Sequence, residues 1–122
     1  MYQIEFYQHS DEESPIVRFF DSLDDKMAAK LIGLMEILEE KGPDLRMPYS
    51  RHLADGIFEL RCQQGNNITR VLYFFYYGKR IIITNGFMKK TQKTPPQELK
   101  LAQERRKNWI RRNTETSSER KQ

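Results

Sequence analysis

Residues 57–87 read IFELRCQQGNNITRVLYFFYYGKRIIITNGF, and this stretch decides the fold. It contains three runs rich in β-branched and aromatic residues, Ile57–Gln63, Ile68–Tyr77 and Lys79–Phe87. The breaks between them, Gly65-Asn66-Asn67 and Tyr77-Gly78-Lys79, are short and contain glycine. Such breaks join antiparallel neighbours, so the stretch predicts a three-stranded antiparallel meander. Strand alternation puts Ile57, Glu59 and Arg61 on one face of the first run and Phe58, Leu60 and Cys62 on the other. The second set is the more apolar, which predicts that it is buried and that Glu59 and Arg61 project outward.

Working outward, residues 2–8 alternate apolar and polar side chains and read as an N-terminal strand. Ser14-Pro15 has the form of a helix cap followed by proline in the first turn, and Ile16, Val17, Phe19, Phe20 and Leu23 supply a buried side. Ser22 or Asp24 starts a second helix over about 24–40, where Met27, Leu31, Leu34, Met35 and Leu38 form one apolar stripe. Gly42-Pro43 ends it. Residues 43–55, with two prolines, several charges and no period, predict a loop. Downstream, Thr94-Pro95-Pro96 opens a final helix over about 95–111, held by Leu99, Ala102, Trp109 and Ile110. The expected fold class is α+β in one layer pair: N-terminal strand, two helices, three-stranded antiparallel meander and C-terminal helix. Residues 1–112 form a single domain in this reading, and 113–122 have the composition of a disordered tail.

Composition narrows the function classes. The 122 residues suffice for one core, 38% hydrophobic content argues against wholesale disorder, and mean hydropathy of −0.80 implies a heavily charged surface. The longest apolar run, Val71–Tyr77, is strand length, so no membrane partner is expected. Neither a basic leader nor a long apolar segment opens the chain, and Cys62 is a lone cysteine, so a reducing, cytoplasmic location is expected. His9, His52 and Cys62 lack the spacing of metal ligands, and Gly33 and Gly42 fit no phosphate loop, so neither a metal nor another cofactor is expected.

Charge carries the first functional hint. The chain's net +4 divides into 11 acidic and 5 basic residues over 1–50, and 6 acidic and 16 basic over 51–122. A half with net +10 suggests a surface for a polyanion. Arg61 and Arg70 fall on adjacent predicted strands, Lys89 and Lys90 follow the third, and Arg51 and His52 lie just upstream. Guanidinium groups suit bidentate phosphate contacts, so this group supports binding of RNA or DNA without choosing between them.

Three ordered motifs then carry a resemblance. They are Gly56-Ile57-Phe58-Glu59-Leu60-Arg61, Thr69-Arg70-Val71-Leu72-Tyr73-Phe74, and Asn85-Gly86-Phe87-Met88-Lys89-Lys90-Thr91-Gln92-Lys93-Thr94-Pro95. Together with Arg51-His52-Leu53 and the closing helix from Pro96, they resemble the HigB branch of the RelE/ParE toxin superfamily. The resemblance implies a RelE-like microbial RNase fold and ribosome-dependent cleavage of messenger RNA by a toxin of a type II toxin–antitoxin system. It also implies neutralisation by a HigA-like helix-turn-helix antitoxin, through which operator DNA is contacted only indirectly. Residue matching assigns phosphate handling to Arg61, Arg70 and Lys89 or Lys90. Some RelE-type members carry a lysine, proposed as a base, where this chain has Glu59; the histidine-rich C-terminal site of other HigB proteins is also absent.

Metal-free cleavage would use the RNA 2′-hydroxyl as nucleophile, with cations stabilising the phosphorane. Glu59 and His52 are the candidate acid–base groups, Glu59 alternatively pairing with Arg61 or Arg70 to hold them in place. Arg51 and Lys93 are candidate RNA contacts. Arg105 and Arg106 on the last helix are either a solvated face or contacts to ribosomal RNA. The competing functions are a ParE-like inhibitor of DNA gyrase and an RNA-binding module without activity.

Overall fold

The computed structural model describes residues 1–9, 11, 13–89 and 93–121, with 89 and 115–121 described as backbone only. Its elements are β1 (Gln3–Phe6), α1 (Pro15–Asp21), α2 (Asp25–Lys41), β2 (Ser50–Ala54), β3 (Ile57–Gln64), β4 (Asn67–Tyr76), β5 (Arg80–Lys89) and α3 (Pro96–Lys121). The strands form one five-stranded sheet in the order β1-β5-β4-β3-β2, with β1 parallel to β5 and the other pairs antiparallel. This is the predicted α+β class with one strand, β2, beyond the four expected.

The helix starts follow from local chemistry. Ser14 Oγ accepts the Val17 amide at 3.4 Å with Pro15 in the first turn, and Asp24, not Ser22, caps α2 by accepting the Met27 amide at 2.7 Å. Gly42, at φ 52°, ends α2 where a Cβ would strike the Tyr2 ring. Glu39, late in α2, accepts the Ile4 amide of β1 at 3.1 Å. That satisfies a strand-edge donor.

Two expectations are corrected. Residues 43–55 are not one loop: Ser50–Ala54 pairs with β3 through a two-residue turn at Asp55-Gly56. Both turn residues have positive φ, 49° and 79°, as a type I′ hairpin requires. Nor is the sheet half-covered. Leu60, Cys62, Val71, Tyr73, Ile81 and Ile83 pack with α1 and α2 on one face. Ile57, Leu72, Phe74, Ile82 and Phe87 pack with Ala102 and Trp109 of α3 on the other. Alternate residues of the same strands thus enter two cores, which is why the central runs are apolar almost throughout. The layers are helix, sheet, helix.

A bulge in β5 prepares the second face. Leu72 pairs with Asn85 and Tyr73 with Ile83, so Thr84 is the extra residue. Its carbonyl accepts Arg105 Nη1 of α3 at 2.7 Å, and Asn85 Nδ2 donates to the Glu98 carbonyl at 3.2 Å. Beyond the bulge, Gly86 faces α1, where an added Cβ would lie 2.5 Å from the Phe19 ring. α3 continues to Lys121, through the stretch whose composition reads as a disordered tail. No glycine or proline follows Pro96, so nothing intrinsic stops the helix.

Candidate active site

The β2–β3–β4 ribbon gathers the charged residues. Arg51 is the cross-strand partner of Glu59, and Arg61 that of Arg70, so all four share the sheet face that also bears α3. Glu59 is fully buried, contrary to the outward projection that alternation predicts, because the sheet is covered on this face too. Its Oε1 lies 3.2 Å from Arg51 Nε and 3.6 Å from Arg61 Nε, and its Oε2 lies 3.7 Å from Arg70 Nη1. Thr94, just ahead of α3, donates its hydroxyl to Glu59 Oε2 and accepts Arg51 Nη2 at 3.3 Å. Among the described residues, one carboxylate therefore sits among three guanidiniums, an excess of two positive charges.

Access to the three arginines is graded. The side chain of Arg51 is 34% exposed, that of Arg61 12%, and that of Arg70 is fully enclosed. Burial lowers the Arg70 pKa, opposed by Glu59 and reinforced by Arg61 and Arg51. Its guanidinium also lies 5.9 Å from the centre of the Phe87 ring. An anionic ligand approaching from solvent meets Arg51 and Arg61 first, with Arg70 behind them as fixed positive charge.

The other predicted residues fall elsewhere. His52 pairs with Phe58 and so lies on the opposite face of the ribbon, exposed, its Nε2 accepting the Gly56 amide at 3.2 Å and its ring 5.1 Å from that of Phe58. The structure does not bring it to the arginines. Lys89 ends β5 opposite Ile68, two residues beyond the Phe87–Arg70 pair. Lys90 lies outside the described residues. Lys93 is exposed next to Thr94. Arg105 and Arg106 are half-buried and turned toward the fold: Arg106 Nη1 donates to the Asp55 carbonyl and its guanidinium lies 5.6 Å from the Phe74 ring, while that of Arg105 lies 5.4 Å from the Tyr7 ring. Burial lowers the Arg105 pKa as well. These two clamp α3 to the sheet, whereas an RNA contact needs them turned outward.

Nothing local in the sequence marks Thr94 as a partner of Glu59, and the predicted loop over 43–55 holds Arg51, which the structure places on β2. The dipeptide Asp55-Gly56 is the signal that would have placed Arg51 on a strand beside Glu59. Among the described residues, no group of three His, Cys, Asp or Glu side chains gathers in metal-binding fashion, and no helix is long and apolar enough to cross a membrane.

This geometry can be set beside known proteins. Residues 18–107 match the family of phage-derived Gp49-like proteins. The chain belongs to the Gp49-like family. The matched span runs from α1 through most of α3 and includes Arg51, Glu59, Arg61, Arg70 and Thr94. Two relatives, from two strains of Mycobacterium tuberculosis, are each described as a probable endoribonuclease HigB1. Each is 35% identical to this Gp49-like chain over 107 residues, which cover 87% of the chain and 83% of the relative. The chain is thus HigB-like in sequence across nearly its whole fold.

Proposed function

We propose that the chain is the toxin of a type II toxin–antitoxin system, an endoribonuclease that cuts messenger RNA on the ribosome. The observation that supports this most directly is a cluster of three guanidiniums about one carboxylate among the described residues, built into a HigB-like chain. In this reading the RNA 2′-hydroxyl attacks the adjacent phosphorus, losing its proton. The 5′-oxygen leaves and gains one, giving a 2′,3′-cyclic phosphate and a 5′-hydroxyl end. Arg61 and Arg51 contact the phosphate, and Arg70 contributes its charge from behind them. Pre-fixed cations stabilise developing phosphorane charge without reorganising at the moment of reaction. Contact with the flanking phosphates is assigned to exposed Lys93 in this reading, with Lys89 or Lys90 carried over from the family resemblance alone.

Glu59 acts in this scheme as a positioning residue. A carboxylate that is fully buried and bonded to Arg51 and Thr94 is out of reach of a substrate hydroxyl. A HigA-like helix-turn-helix antitoxin neutralises the toxin, and operator DNA is contacted only through it.

The test is to add purified chain to a translation reaction, with and without ribosomes, and to map RNA ends. Wild-type chain should create 5′-hydroxyl ends within translated codons only when ribosomes are present, and Arg61→Ala should create at least ~100-fold fewer. Intact messages, with gyrase inhibited instead, would replace this reading with the ParE-like one.

A further inference from the structure

Thr94 enters the arginine cluster as a side chain without charge. Its hydroxyl donates to Glu59 Oε2 and accepts Arg51 Nη2 at 3.3 Å, while Arg51 Nε donates to Glu59 Oε1 at 3.2 Å. These three bonds close a ring. Arg51 and Glu59 are cross-strand partners, a placement that suits the side-on fork in which Nε and Nη2 each take one carboxylate oxygen. Here the Nε leg of that fork is direct, and the Nη2 leg runs through the Thr94 hydroxyl.

The hydroxyl is delivered from a fixed backbone. Pro95 and Pro96 follow it, each with restricted φ, and a residue before proline is held to extended conformations. The Glu98 amide donates to the Pro95 carbonyl at 3.0 Å, and Asn85 of β5 donates to the Glu98 carbonyl at 3.2 Å, which ties the start of α3 to the sheet. Further along, Gln103 and Arg106 of α3 bond Asp55, in the turn of the hairpin that carries Arg51 and Glu59. The helix and its approach thus hold this hairpin at its turn and at its charged pair.

We infer that Thr94 is a positioning residue for RNA cleavage: its hydroxyl, inserted between Arg51 and Glu59, keeps Arg51 from closing onto the carboxylate and fixes the plane in which the guanidinium meets the phosphate. Arg51 is the most exposed of the three arginines, and so the one whose orientation most needs fixing. A guanidinium held at two nitrogens turns less than one held at Nε alone. Full fork pairing would aim both N–H groups at Glu59 and lessen the positive potential offered to a ligand. Cations stabilise a phosphorane best when already in place, so the loss falls on the transition state. The inference rests on the nuclease reading above.

Thr94→Val removes the hydroxyl at nearly constant shape, and Thr94→Ser keeps it. With messenger RNA on ribosomes as substrate, and rates normalised to folded protein by far-UV circular dichroism, Thr94→Val should lower kcat about tenfold with KM within twofold of wild type. Thr94→Ser should recover most of that loss. In an Arg51→Ala background the valine change should alter kcat less than twofold, because the hydroxyl acts through Arg51. The Arg51 Nε–H signal in ¹⁵N NMR spectra, identified by its loss in Arg51→Ala, reads the bridge without RNA. It should shift in Thr94→Val while the signals of Arg105 and Arg106 stay in place. A kcat within twofold of wild type for Thr94→Val, equal losses in the valine and serine variants, or a tenfold loss that persists without Arg51 would each overturn the assignment. Wild-type chain that cuts no RNA, with the Arg51 signal still shifted by Thr94→Val, would sink the nuclease reading and leave the bridge standing; an unmoved signal would overturn the bridge itself.

Discussion

Replacing Glu59 by glutamine should be among the most damaging single changes in the chain. The substitution keeps the shape and removes the carboxylate that the described residues place among Arg51, Arg61 and Arg70. Two of those guanidiniums reach solvent to some degree and can reorient, so their loss of pairing is discounted heavily. Arg70 cannot, because its side chain is fully buried. Removing one partner of a buried ion pair costs about 3–5 kcal/mol, mostly as the penalty on the charge left behind. The lower end applies here, since Arg70 Nη1 and Glu59 Oε2 stand 3.7 Å apart, beyond a good hydrogen bond. A loss of about 3 kcal/mol corresponds to a Tm lower by roughly 10 °C in a domain of this size. Urea unfolding followed by far-UV circular dichroism measures it. The double variant Glu59→Gln, Arg70→Met separates the cause: with the buried cation also gone, it should be less destabilised than the two single changes summed, by 1 kcal/mol or more in order of magnitude. Glu59→Gln within about 1 kcal/mol of wild type, or strict additivity of the pair, would refute the idea that Glu59 neutralises Arg70.

Three further outcomes are expected. Tyr73 is buried and bonded to Ser50, and burial pushes its pKa up to about 12. Because the folded state holds the proton more tightly than the unfolded chain, this stabilisation is complete below about pH 10 and disappears as pH rises toward 12. Tyr73→Phe should therefore unfold at lower urea than wild type at pH 9 and at higher urea at pH 11.5; a constant difference would contradict it. Glu5 accepts Arg80 Nε at 2.5 Å and Nη2 at 2.8 Å beside the Trp109 ring, but both side chains are about one-third exposed. Glu5→Gln should cost only about 1 kcal/mol, and less at 1 M salt, which melts at two ionic strengths would reveal. At Gly86, Gly86→Val drives a branched side chain into Phe19 of α1 and should cost about 1–3 kcal/mol; an unchanged urea midpoint would show that α1 shifts freely.

Local chemistry carried much of the architecture. The caps at Ser14 and Asp24, the stripe from Met27 to Leu38 and the stop at Gly42 are short-range features, and each appears where the residues predict it. The strands of the meander follow from runs and turns in the same way. β2 was equally legible through Asp55-Gly56, but two prolines and a charged segment upstream outweighed that signal.

The candidate site was legible only in its residue types. Composition and family resemblance select Arg61, Arg70 and Glu59, yet alternation alone sends Glu59 into solvent. That inference assumes one buried face, and the sheet has two. Whether a strand face is wet depends on which distant helix lies over it, here α3, some 35 to 50 residues downstream of Glu59. The same packing turns Arg105 and Arg106 inward, separates His52 from the arginines and brings Thr94 onto Glu59. The sequence by itself determined the strands, the helices and the excess of positive charge, because these arise from neighbours in the chain. Only the tertiary structure decided which charges meet, because solvation and ion pairing depend on what lies across space.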